Sequence, residues 1–163
     1  MTDMLERYQQ KVAGTNIDPR SLLSTDYFNH FNSVIMLFGM LPDAPELLDD
    51  IDGWEFLSYI DHFKTSCLDF GPLAIEAYEF APSKLRDQFN RKAEEIRIFI
   101  EVSRLGLRRL IESGEKEKFA DMALRVSREL QHMVDAGGSI VHGNENSMDQ
   151  SAIDKMFNAW GEG

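Results

Sequence analysis

The sequence predicts an all-α fold, a helical bundle, and three observations carry that expectation. Apolar residues recur at helical spacing through most of the chain, while alternation over a strand length is hard to find. Two stretches, about 83–113 and 115–136, sustain such a stripe over lengths that suit long helices, with "SGE" at 113–115 as a tight break between them. At 163 residues and with Cys67 as its only cysteine, the chain has the size of one domain and relies on an apolar core rather than on disulfides.

Taken in order, residues 3–12 read as a weak first helix with Leu5, Tyr8 and Val12 on one side; "GTNIDPR" breaks it, and it either docks or frays. The next helix is better marked. Ser24 or Thr25 can cap it, Asp26 lies in its first turn, Tyr27, Phe31, Val34, Phe38 and Leu41 form its stripe, and Pro42 stops it. Asp43 and Pro45 open a short acidic helix that ends near Gly53. "WEFLSYIDHFKTS" is expected to form another, with Trp54, Leu57, Ile60 and Phe63 or Phe56 inward. Pro72 starts "PLAIEAYEFA", and Pro82 ends it.

Ser83 can cap the longest helix, whose seam runs through Leu85, Phe89, Ile96, Phe99 or Ile100, Ser103, Leu107 and Leu110. At 1.5 Å per residue it extends about 45 Å. The stretch "KEKFADMALRVSRELQHMVDA" is expected to return as its antiparallel partner through Phe119, Met122, Ala123, Val126, Leu130 and Met133, with Gly137 as the stop. The organisation that follows is an amino-terminal arm over 1–20, a bundle over 21–136, a flexible linker over 137–146 rich in Gly and Asn, and a closing helix over 147–163.

Composition narrows the partners. Asp and Glu total 28 against 17 Lys and Arg, a net charge of -11, which repels nucleic-acid phosphate and anionic lipid. We therefore expect neither nucleic acid nor membrane as a partner. The amino terminus carries no apolar run of signal-peptide length, and no stretch approaches ~20 apolar residues, so a cytoplasmic protein is expected.

The closing stretch "NSMDQSAIDKMFNAWGEG" raises the functional question. Ser147 and Gln150 can form a capping box, and Ile153, Met156, Phe157 and Trp160 fall on one face at i, i+3, i+4 and i+7. That is the pattern of a helix that lies in a groove, and equally of a last core helix folded back on its own bundle. The segment Gln150–Asn158, "QSAIDKMFN", resembles the short peptide by which the flagellar motor switch protein and the chemotaxis phosphatase hold the phosphorylated chemotaxis response regulator. Gln150, Ile153, Asp154, Met156, Phe157 and Asn158 occupy that pattern's glutamine, aliphatic, aspartate, paired apolar and small polar places. Asp149 stands where a serine is usual, and Met156 and Phe157 where leucines are. The layout of helical body, connector and terminal docking helix is also similar to that phosphatase. The resemblance implies a response regulator as partner, with Gln150, Ile153, Asp154, Met156, Phe157 and Trp160 as the binding face.

It also implies that the body should offer an acid and an amide about one turn apart, the amide orienting the water that attacks a phospho-aspartate. The phosphatase's own acid-and-glutamine signature is absent; Asp26 and Asn29, in "STDYFNHFN", are the nearest substitute. A helical wheel places Asp26, Asn29 and Ser33 opposite the apolar stripe. The plainer alternative is that Asp26 complements the helix dipole and Asn29 is a solvated polar residue. The Mg²⁺ of such a reaction belongs to the partner, and no intrinsic cofactor or metal is expected. Glu129 and His132 form a lone E-x-x-H, half of what a di-iron bundle would need. His30 and His62 border apolar stripes, His142 lies in the connector, and Cys67 reads as a small buried apolar residue. Self-association through the long hairpin is expected, and the rival to a motility regulator is a helical adaptor or structural bundle whose tail completes an interface.

Overall fold

The computed structural model describes residues 2–143 and Trp160. Among them are seven α-helices, two 3-10 helices and no strand, so the chain is all-α. The helices are α1 (Thr2–Lys11), α2 (Asn29–Met40), α3 (Leu48–Asp52), α4 (Tyr59–Thr65), α5 (Gly71–Tyr78), α6 (Ser83–Glu112) and α7 (Lys116–Val141). The 3-10 turns Thr25–Phe28 and Pro45–Leu47 lead directly into α2 and α3. None of these helices is long and apolar enough to cross a membrane.

The described residues group into two compact units. The first takes those of Met1–His30, Phe56–Ala93 and Asp135–Asn146. Here α1 docks: Tyr8 stacks on Phe80 with ring centroids 4.8 Å apart, and its hydroxyl donates to Glu76 Oε1 at 2.9 Å. The centre is aromatic. The Tyr59 ring lies 5.7 Å from Tyr27, 5.0 Å from Tyr78 and 5.4 Å from Phe89, offset and tilted arrangements that the ring quadrupoles favour.

The second unit takes the described residues of Phe31–Glu55, Glu94–Val134 and Ser147–Gly163. On α6 the buried residues Ile96, Phe99, Ile100, Ser103 and Leu107 continue the seam, and on α7 Phe119, Met122, Ala123, Val126, Leu130 and Met133 are all buried. Gly39 of α2 faces Ser127 of α7, whose hydroxyl donates to the Ile35 carbonyl at 3.1 Å. The acidic helix α3 is tethered to α6 by charge: Arg104 pairs with Asp52 at 3.1 Å, and Arg108 with Asp49 at 3.0 Å and again with Asp52.

Two expectations are corrected. The stretch "WEFLSYIDHFKTS" is helical only from Tyr59 to Thr65, because Ser58 caps α4 by accepting the Asp61 N–H at 3.2 Å. Upstream, the Leu57 N–H donates to His30 Nε2 at 2.9 Å and the Leu57 carbonyl accepts the Tyr27 hydroxyl at 2.7 Å. With both backbone polar groups of Leu57 satisfied by side chains, the backbone loses a reason to coil there. The buried residues of α4 are then Tyr59 and Phe63, while Trp54, Phe56, Leu57 and Ile60 stay half-buried. Nor does Gly137 stop α7, which runs on to Val141. Gly137 serves a close approach: a Cβ there would stand 2.2 Å from Cζ of the Phe28 ring. The chain leaves the helical region instead at Gly143, whose φ of 83° is one that glycine adopts without strain.

Candidate functional site

The sequence-predicted acid and amide, Asp26 and Asn29, come together on the solvent side of the first unit. The loop before them sets their position. Asp18 Oδ1 accepts the Arg20 N–H at 2.8 Å, Leu22 adopts a left-handed φ of 59°, and the Leu23 carbonyl returns to the Asp18 N–H at 2.8 Å. This turn delivers Ser24 in extended conformation, its N–H on the Tyr59 hydroxyl at 3.0 Å and its Oγ accepting the Asp26 N–H at 3.2 Å. Asp26 is thereby fixed in the first turn of the 3-10 helix, where its charge meets the positive end of the helix dipole.

The carboxylate is well occupied. Oδ2 accepts from Asn16 Nδ2 at 2.6 Å and from the Ser24 hydroxyl at 3.4 Å, and Oδ1 accepts from Asn29 Nδ2 at 3.1 Å. Asn16 was not singled out by sequence. It lies ten residues upstream, beyond a break, and only the turn through Leu22 brings it back.

Behind this patch lies a histidine pair. His30 Nε2 accepts the Leu57 N–H, so the proton of its neutral ring resides on Nδ1. His62, 6.1 Å away centroid to centroid, packs edge-on to Tyr27 and Phe63. Burial lowers the His62 pKa, against the opposing pull of the Asp26 carbonyl and carboxylate, and its Nε2 is buried without a hydrogen-bond partner among the described residues. His142 Nδ1 meets Asp18 Oδ2 at 2.9 Å.

Of the proposed partner-binding face, Gln150, Ile153, Asp154, Met156 and Phe157 lie outside the described residues. Trp160 lies within them, and it is 6% exposed. Its ring rests against Gly106 of α6, where a Cβ would stand 2.3 Å from Cε3. The contact was legible in part. A glycine inside an otherwise strong helix costs about 1 kcal/mol against alanine, which marks Gly106 as a place where something approaches closely. Among the described residues the Trp160 Nε1 donor is buried without a partner, as is the Ser103 hydroxyl one turn before Gly106. An unsatisfied buried donor costs about 1–3 kcal/mol.

Among the described residues, no three His, Cys, Asp or Glu side chains gather as a metal group would require. Glu129 and His132 approach to 3.8 Å on the surface of α7, and Cys67 is exposed rather than buried as its sequence context suggested. The acidic helix α3 spends Asp49 and Asp52 on Arg108 and Arg104. No protein-family model, curated protein or solved structure is matched by the chain.

Proposed function

We propose that the protein is a regulator of chemotaxis or flagellar motility that binds a phosphorylated response regulator through its carboxy-terminal segment, 147–163. The observation that carries this is the order Gln150, Ile153, Asp154, Met156, Phe157 and Asn158 at the spacing of a known regulator-docking peptide. The body's part in catalysis rests on Asn29, whose Nδ2 donates to Asp26 Oδ1 at 3.1 Å and whose carboxamide would have to reach the attacking water.

The test is a titration of the full chain and of a labelled 146–163 peptide with a chemotaxis response regulator and Mg²⁺, with and without a phosphoryl mimic. Micromolar binding that tightens on activation, and weakens at least tenfold in Ile153→Ala or Phe157→Ala, supports the proposal. Equal or absent binding in both states removes it. Asn29→Ala then separates capture from catalysis, since only a phosphatase loses turnover of the phosphorylated regulator.

A second function, that of a helical adaptor whose tail belongs to its own fold, is favoured by the burial of Trp160 against Gly106. In that case Trp160→Ala destabilises the protein and leaves the regulator's dephosphorylation unaffected.

A further inference from the structure

We infer that the outer face of α6 is self-complementary and receives a second copy of this chain, packed antiparallel about a two-fold axis. The inner face of α6 in the second unit is spent on Ile96, Phe99, Ile100, Ser103 and Leu107. Its outer face nevertheless carries large apolar side chains in water: Ile98 is 40% exposed and Leu105 is 47% exposed. They lie seven residues apart and so on one side of the helix, with half-buried Val102 between them. A row of this kind on an otherwise charged surface can receive a complementary helix.

The charges name that occupant. Glu94 lies four residues before Ile98 and Arg109 four residues after Leu105, both exposed and both on the same face. Glu94 and Arg109, like Ile98 and Leu105, are symmetric about the midpoint between Glu101 and Val102. A second α6 laid antiparallel with its two-fold axis there sets Ile98 against Leu105 of the copy and Glu94 against Arg109 of the copy, each contact made twice, with Val102 against the stem of the copy's Glu101 beside the axis. Parallel packing in register would instead oppose Glu94 to Glu94 and Arg109 to Arg109. Glu94 bonds to Arg97 within its own helix, whereas Arg109 makes no ion pair among the described residues. The copy's Glu94 supplies what Arg109 lacks. A contact of one helix per subunit falls at the small end of specific interfaces, so the dimer should dissociate at roughly micromolar concentration.

Sedimentation equilibrium of the full chain, from about one to a few hundred micromolar, tests this. A reversible monomer–dimer equilibrium is expected, weakened at least tenfold by Leu105→Glu. Glu94→Arg and Arg109→Glu should each weaken it similarly, because each opposes like charges twice, and the two combined in one chain should restore it. The Glu94–Arg97 bond is lost in Glu94→Arg and in the double variant alike, so restoration cannot come from within the helix. Circular dichroism melts confirm that every variant folds. A monomer at all concentrations, a dimer indifferent to Leu105→Glu, or a double charge reversal that fails to restore association would each overturn the inference.

Discussion

Gly137 and Gly138 are neighbours on α7, yet a methyl group should act on them in opposite directions. Alanine in a helix interior gains about 1 kcal/mol over glycine. At Gly138 the nearest atom to a new Cβ is Thr25 Cγ2 at 3.9 Å, an ordinary contact, so Gly138→Ala should raise stability by about 0.5–1 kcal/mol. At Gly137 the same methyl meets the Phe28 ring at 2.2 Å, and a buried ring has little room to retreat. Overpacking of that kind costs about 1–3 kcal/mol, so Gly137→Ala should lower the urea midpoint despite its better helix propensity. Equal midpoints for the two variants would show that Phe28 moves freely. His62 gives a second prediction at this scale. Burial holds its pKa below the ordinary 6.5, so as pH falls the unfolded chain takes up the proton first. Stability contributed by the neutral ring is present above 6.5, declines as pH falls towards the lower folded-state value, and levels off beneath it. Thermal melts between about pH 7 and 5 should show that decline, and His62→Gln should flatten part of it. Tyr27, His30, Phe63 and Asp26 are the groups around the ring.

The helices were legible in proportion to how local their causes are. The stripe of Tyr27, Phe31, Val34, Phe38 and Leu41 is buried throughout, and Ser24 caps the turn that leads into it, because periodicity and a capping hydroxyl act within a few residues. The start of α4 was misplaced by five residues because its cause is remote. Leu57 is held by Tyr27 and His30, and nothing in "WEFLS" itself announces that the polar groups of its Leu57 are already satisfied. Gly137 was misread for the same reason, its partner Phe28 being distant in sequence. At the candidate site the helical wheel placed Asp26 and Asn29 correctly towards solvent, yet gave no sign that Asn16 and Ser24 hold the carboxylate. If Ser58 is what begins α4, Ser58→Ala should cost about 1 kcal/mol, the usual worth of an N-cap. It should also speed amide exchange at Asp61, whose N–H would lose its acceptor. A change below ~0.2 kcal/mol would mean that the Leu57 contacts alone set the boundary.

For the molecule as a whole, Trp160 sets two roles in competition. It is one of the four apolar residues on the proposed docking face, and in the structure it is buried against its own α6. A side chain cannot serve both at once, so regulator binding through this face must first recover the free energy that seats Trp160 on Gly106. Burying a large aromatic side chain is worth about 1.5–3 kcal/mol, and the Nε1 donor, without a partner among the described residues, takes back part of that. What remains is small enough for a micromolar partner to overcome, since such an affinity corresponds to about 8 kcal/mol. Three variants separate the terms. Trp160→Ala should lower stability by about 1–2 kcal/mol and weaken regulator binding. Trp160→Phe keeps an aromatic ring without the unsatisfied donor and should leave stability unchanged or raise it slightly. Gly106→Ala places a methyl where the indole rests, so it should dislodge Trp160 while strengthening α6 and raise affinity for the phosphorylated regulator several-fold. A Gly106→Ala protein that binds the regulator no better than wild type, while Trp160→Ala is measurably less stable, would assign Trp160 to this protein's own fold and leave Ile153, Met156 and Phe157 to carry any docking alone.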